Sequence, residues 1–183
     1  MKPCPSFNYC NGDTTFIFGK LCPNGYYGDR LKQGYSSIAD CIECTESNYC
    51  TAGRITAPCV AGYICNKQAD SPKPSSLELK STGKAYPCPA GNWCSQGAKD
   101  PEPCPIGYYT QESGGRQEAD CTICMIGFYC SEDSKIPKSC PTGHYCPIGS
   151  YEPTACPVGS YNPKFESGSI TDCLPCKGGF TCP

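Results

Sequence analysis

The chain is poor in the residues from which a hydrophobic core is built. Leu, Ile, Val and Phe together make up 24 of its 183 residues, below the roughly 20% at which a chain ordinarily buries an oily interior. Histidine and tryptophan occur once each, and methionine twice. No apolar run approaches the ~18 residues of a bilayer span, so no membrane-spanning segment is expected. Charge of one sign is also missing: 15 Lys and Arg stand against 17 Asp and Glu, for a formal net charge of −2. Without a basic run there is no electrostatic footprint for nucleic acid. The opening MKPCPSFNYC has no apolar stretch of the kind a signal peptide needs, so the chain reads as a mature product or a segment of something longer. These shortages exclude a dinucleotide-binding domain, a barrel enzyme and a helix bundle.

What the chain has in abundance is cysteine, 20 residues or about 11%, with 20 Gly and 19 Pro. Above 8–10% cysteine, cross-links stand in for a core. Dense cysteine of this kind persists as disulfide outside the reducing cytosol, which points to secretion or the cell surface. The expected fold is small and disulfide-rich: an elongated rod of tandem cysteine-rich modules with short β-hairpins and almost no helix.

A six-residue element recurs ten times: Cys, usually Pro, any residue, Gly, any residue, aromatic. Its leading cysteines (position 0) are Cys4, Cys22, Cys44, Cys59, Cys88, Cys104, Cys124, Cys140, Cys156 and Cys176. Glycine occupies position +3 except at Phe7 and Ser47, and an aromatic occupies +5 except at Ile64 and Thr181. Seven copies close with a second Cys at +6. The other three, led by Cys22, Cys104 and Cys156, run on to an Asp-Cys-x-x-Cys at Asp40, Asp120 and Asp172. Adding 52 to Cys88, Cys94, Cys104, Cys121, Cys124 and Cys130 gives Cys140, Cys146, Cys156, Cys173, Cys176 and Cys182. A strict period of this kind marks units that stack on their neighbours.

The residue types explain the element. Proline pre-sets a turn, and glycine at +3 permits a positive φ that other residues resist. The aromatic ring is expected to cover a disulfide with flat apolar area while its hydroxyl stays wet. A loop of about 17 residues closed by a disulfide gains on the order of 3 kcal/mol by restricting the unfolded chain.

The cysteine order resembles the tumour-necrosis-factor-receptor cysteine-rich domain, and the regular Pro-Gly-aromatic signature resembles the ephrin-receptor-like repeat. The resemblance implies pairing of first with second, third with fifth and fourth with sixth cysteine. On this chain that means Cys22–Cys41, Cys44–Cys59, Cys50–Cys65, Cys104–Cys121, Cys124–Cys140, Cys130–Cys146 and Cys156–Cys173. Spacing by itself does not fix connectivity. The implied organisation is an N-terminal half-module at 1–21, a module at 22–65, a Ser/Pro/Lys-rich linker or loop at 66–87, a half-module at 88–103, a module at 104–146 and an incomplete module at 147–183.

Cys4, Cys10, Cys88, Cys94, Cys176 and Cys182 are left over. Two expectations compete. In one, Cys88–Cys94 closes locally while Cys176 and Cys182 of one chain bond Cys4 and Cys10 of the next, an open heterologous contact that makes a filament. In the other, each leftover pair closes locally, or the chain is a slice of a longer array.

Chemical sites are few. The Cys-x-x-Cys pairs Cys41/Cys44, Cys121/Cys124 and Cys173/Cys176 have knuckle spacing, but each lacks a second knuckle at the distance a zinc ribbon requires, so disulfides rather than metal are expected. They also lack the βαβ context of a redox pair. His144 stands in a turn with no second histidine, and Asp40, Asp120 and Asp172 are spread along the chain rather than converging in a cleft. Their expected role is to accept backbone N–H bonds and hold a turn. No Asp-x-Asp calcium loop is present. No catalytic, cofactor or metal constellation is therefore expected, and no enzyme. Asn8, Asn48 and Asn92 stand in Asn-x-Cys rather than Asn-x-Ser/Thr. Ser71, Ser75, Ser76 and Thr154, near prolines, are the candidates for O-linked sugar. The expected role is a secreted structural repeat protein of an extracellular filament, coat or appendage, self-associating and bearing glycans. The competing reading is a receptor-like or adhesive ectodomain, for which 66–87 and the Thr14–Phe18 stretch are the candidate binding features.

Overall fold

The computed structural model describes residues 4–10, 19–31, 34–73, 84–132 and 134–178. The chain divides into two compact units, Met1–Pro87 with Cys94–Asp100, and Cys88–Trp93 with Pro101–Pro183. Both are small, disulfide-rich assemblies of two-stranded antiparallel hairpins. The described helix is limited to three single 3-10 turns, Ile38–Asp40, Glu118–Asp120 and Ile170–Asp172.

One rule generates the hairpins. Residues at +4 and +5 of a module pair with the two residues that precede the next leading cysteine. Tyr26–Tyr27 pairs with Ile42–Glu43, Phe128–Tyr129 with Lys138–Ser139, and Ser160–Tyr161 with Leu174–Pro175. The hairpins are too short to be stable alone. Cross-links and the neighbouring module hold them.

The stacking of modules is a matter of backbone. The residue at +3 donates its N–H to the C=O of the +6 residue of the following module, and its C=O accepts from that module's leading cysteine. Gly107 N–H reaches Cys130 C=O at 3.1 Å while Cys124 N–H reaches Gly107 C=O at 2.8 Å. Gly127 does the same with Cys146 and Cys140, at 2.8 and 2.9 Å, and Gly25 with Cys50 and Cys44, both at 2.9 Å. A second pair runs along the other side: Gly149 N–H donates to Cys124 C=O at 2.8 Å, and Cys130 N–H to Ser150 C=O at 2.9 Å. Its counterparts are Gln68 to Cys44 with Cys50 to Ala69, and Glu166 to Cys140 with Cys146 to Ser167. The junctions between the modules led by Cys44 and Cys59, by Cys124 and Cys140, and by Cys140 and Cys156 are thus each stitched by four backbone hydrogen bonds.

Both rails need left-handed backbone. Position +3 has φ between 77° and 89° at Gly25, Gly62, Gly91, Gly107, Gly127, Gly143 and Gly159. The two non-glycine exceptions obey the same geometry, Phe7 at 71° and Ser47 at 70°. Glycine has a second reason here: a Cβ on Gly25 would lie 2.5 Å from the Gln68 carbonyl oxygen, and one on Gly107 or Gly127 would strike the carbonyl of Gly149 or Glu166. The donors to the leading-cysteine carbonyls, Gly34, Gln68, Gly97, Gly114, Gly149 and Glu166, are also left-handed, a recurrence the spacing of cysteines does not reveal.

The interior is sulfur. Among the described residues the buried apolar side chains are fifteen cysteines together with Tyr35, Ile64, Ala69 and Ala85. The aliphatic residues stay outside: Val158 is 98% exposed and Ile136 67%. The aromatics at +5 are half-buried, and Tyr49 packs on the cluster of Cys59, Cys65, Ala69 and Ala85. Ile64, which takes the aromatic's place, is buried.

The segment 66–87 is built into the repeat at both described ends. Tyr63–Cys65 pairs with Ala85–Pro87, and Asn66 N–H donates to Lys84 C=O at 2.7 Å. The Thr14–Phe18 stretch and residues 74–83 lie outside the described residues.

Replacing Gly107 by Ala puts a Cβ against the Gly149 carbonyl and forces an L-residue into left-handed space. Thermal unfolding of Gly107→Ala is expected to show a loss of about 2 kcal/mol or more, whereas Ser47→Gly leaves the midpoint unchanged or higher.

Candidate functional site

The candidate residues of this chain are chiefly its cysteines, and their partners follow from the turn. The left-handed residue at +3, Ser47 or Gly127, folds the element back, so that the leading and the +6 Cα atoms stand 5.7 Å apart in Cys44–Cys50 and 5.9 Å in Cys124–Cys130. That is the spacing a disulfide spans. Cys44–Cys50, Cys59–Cys65, Cys124–Cys130 and Cys140–Cys146 are accordingly bonded within their own elements. This corrects the pairing implied by the receptor resemblance, in which Cys44 bonds Cys59, Cys50 bonds Cys65, Cys124 bonds Cys140 and Cys130 bonds Cys146. Hydrogen bonds between successive elements hold together what interlocking disulfides hold in that scheme. The three longer closures, Cys22–Cys41, Cys104–Cys121 and Cys156–Cys173, form as the resemblance implies.

The same local closure corrects the inter-chain scheme. Cys4 bonds Cys10, Cα to Cα 5.9 Å, so neither is left for Cys176 or Cys182 of a second chain. Cys176 is itself disulfide-bonded, and Cys182 lies outside the described residues. Cys88 and Cys94 are both disulfide-bonded and buried.

Each Cys-x-x-Cys is divided between two bonds. Cys41 goes back to Cys22 and Cys44 forward to Cys50; Cys121 goes to Cys104 and Cys124 to Cys130. Paired in this way, the sulfurs neither form a dithiol couple nor offer thiolates to a metal.

The three recurring aspartates hold turns. Asp40 Oδ2 accepts from the N–H groups of Ser36 and Ser37 at 2.8 and 2.9 Å, and Asp172 Oδ2 from Gly168 and Ser169 at 3.1 and 3.0 Å. Ser37 and Ser169 complete capping boxes on the 3-10 turns. In the middle copy Gln117 takes the cap position without a side-chain bond, and Asp120 accepts from Arg116 N–H at 2.7 Å. The tetrad Ser/Gln-x-x-Asp places these carboxylates one per long loop. His144 is a half-buried strand residue whose Nδ1 lies 3.0 Å from the Thr142 carbonyl. Of the sugar candidates, Thr154 is exposed on a strand, and Ser71 is half-buried with its hydroxyl accepting from Lys73 N–H at 3.3 Å. Ser75 and Ser76 lie outside the described residues. The cysteines of all three Asn-x-Cys triplets, Cys10, Cys50 and Cys94, are oxidised.

Sequence reasoning marked out the three modules that lack a +6 cysteine but gave their +6 residues no role. Their +6 residues are Gly28, Thr110 and Asn162. Asn162 is buried, donates through Nδ2 to the His144 carbonyl at 2.9 Å and accepts from Lys164 N–H at 3.0 Å. Beside Gly28 and Thr110 the surface opens into shallow depressions. The signal for them was present as the three places where the element fails to close.

No protein-family model and no curated protein sequence matches the chain.

Closing a 19-residue span restricts the unfolded chain more than closing a six-residue one. Removing Cys22–Cys41 by a double serine substitution is expected to cost about 3 kcal/mol, against about 2 kcal/mol for Cys44–Cys50, as read by denaturant unfolding. Peptide mapping of the unreduced protein is expected to recover the local pairs.

Proposed function

We propose that the chain is a secreted structural repeat protein, a building element of an extracellular filament, surface coat or appendage, of the ephrin-receptor-like kind rather than an enzyme. The observation that carries this reading is the uniform junction. The same reciprocal backbone pairing recurs at Gly25, Ser47, Gly91, Gly107, Gly127 and Gly143, beside oxidised cysteines and independent of side-chain identity. Such a series transmits load through covalent cross-links and hydrogen bonds, and it presents no unfolded segment to a protease at the bonded turns. The oxidised cysteines fit an oxidising compartment, and among the described residues no helix is long and apolar enough to cross a membrane.

Self-association belongs to the proposal in a form that needs no sulfur exchange. A module offers its backbone edge to its neighbour whatever its side chains are, so copies can join by the same pairing that joins modules within a chain. Negative-stain microscopy of the unreduced protein is expected to show linear assemblies that run as monomers on non-reducing denaturing gels. Dispersed single particles at every concentration contradict self-association. Rapid digestion of the unreduced protein, as fast as of the reduced one, contradicts the structural role itself.

A further inference from the structure

Two of the modules that lack a +6 cysteine carry a depression at matching positions. Counted from the leading cysteine, Tyr27, Gly28, Asp29 and Arg30 of one correspond to Tyr109, Thr110, Gln111 and Glu112 of the other. The architecture is shared and the charge is opposite: Arg54 joins Arg30 in the first, and Asp120 joins Glu112 in the second. We propose that the first depression binds an acidic saccharide, a sugar chain bearing carboxylate or sulfate groups.

Arginine is scarce in this chain, three residues against twelve lysines, and two of the three line this one surface. The Arg54 guanidinium lies over the Phe7 ring, 4.5 Å from its centroid. Stacking of this kind holds the planar fork flat and leaves its edge N–H groups for an anion, the geometry that meets a carboxylate or sulfate in bidentate fashion. Among the described residues neither Arg30 nor Arg54 is in an ion pair. The one carboxylate of the depression, Asp29, turns back on its own loop, its Oδ1 accepting from Leu31 N–H at 2.8 Å.

The floor is preorganised. A Cβ at Gly28 would come within 2.6 Å of the Phe7 Cα, so glycine lets the two backbone segments meet. The buried Tyr35 hydroxyl accepts from Asp29 N–H at 2.9 Å, and Ser6 Oγ donates to the Arg30 carbonyl at 3.2 Å. The wall is aromatic and the opening shallow, which suits the face of a sugar ring with its anionic substituents directed at the arginines. It offers no deep socket for the anchoring side chain of a peptide. This site goes beyond the structural role and does not rest on it.

The probe is a heparin oligosaccharide titrated calorimetrically at low salt into the oxidised protein. Arg54→Gln and Arg30→Gln are each expected to weaken binding about tenfold, with unchanged thermal midpoints. Arg54→Lys is expected to recover part of the loss, since it keeps the charge without the fork. Glu112→Gln, in the matching acidic depression, is expected to leave affinity unchanged. Failure of the wild type to bind overturns the proposal, as does wild-type affinity in the Arg30→Gln/Arg54→Gln double variant. An equal loss in Lys135→Gln/Lys138→Gln overturns it in favour of diffuse charge. Polyglutamate binding as tightly as heparin overturns it in favour of an acidic peptide.

Discussion

The reciprocal pair of hydrogen bonds made by the residue three places after most of the leading cysteines is the interaction on which the rest depends. It joins a module to the next through Gly25, Ser47, Gly107, Gly127 and Gly143 in the same way, whatever the neighbouring side chains. It can form because that residue is left-handed and, at Gly25, Gly107 and Gly127, carries no Cβ to meet the backbone laid against it. Where a disulfide closes the turn it lowers the entropic cost of the arrangement, since a short loop already closed has little freedom left to lose. Cross-link and backbone pairing therefore do different work. One shapes the module, and the other joins modules into a series.

This division explains why the connectivity departs from the receptor pattern. In a scheme where third bonds fifth and fourth bonds sixth cysteine, sulfur bridges successive elements. Here Cys44 and Cys50 bond each other, and the bridge to the next element passes instead from Gln68 to the Cys44 carbonyl and from Cys50 to the Ala69 carbonyl. The unit of construction is the hexapeptide turn, with a long-loop variant wherever the +6 cysteine is absent.

Much of the fold was legible in the residues. Cysteine content against scarce aliphatics foretold a sulfur interior, and glycine at +3 foretold a positive φ. Asp40, Asp120 and Asp172 were legible as turn holders because a carboxylate recurring before a bonded cysteine has nearby N–H groups to accept. The local pairing was not legible, because spacing constrains which cysteines can meet without choosing among them. The second rail was hidden for another reason: its left-handed positions are filled by Gln68 and Glu166 as well as glycine, so no single residue type marks them. The cationic depression escaped because Phe7, Arg30 and Arg54 follow three different leading cysteines, Cys4, Cys22 and Cys44, and meet only once those elements are stacked. What the sequence singled out for binding, Thr14–Phe18 and 66–87, contains neither Arg30 nor Arg54.

The proposed extracellular location and the lack of an oily core among the described residues have one cause, since a chain with so few aliphatics depends on oxidised sulfur to stay folded. Amide hydrogen exchange before and after reduction tests that dependence most directly. The account predicts slow exchange at the amides of Gly107, Gly127, Cys124 and Cys140 in the oxidised protein, and loss of this protection at all four together once the disulfides are reduced. Retention of slow exchange at those amides in a chain with free thiols would contradict it.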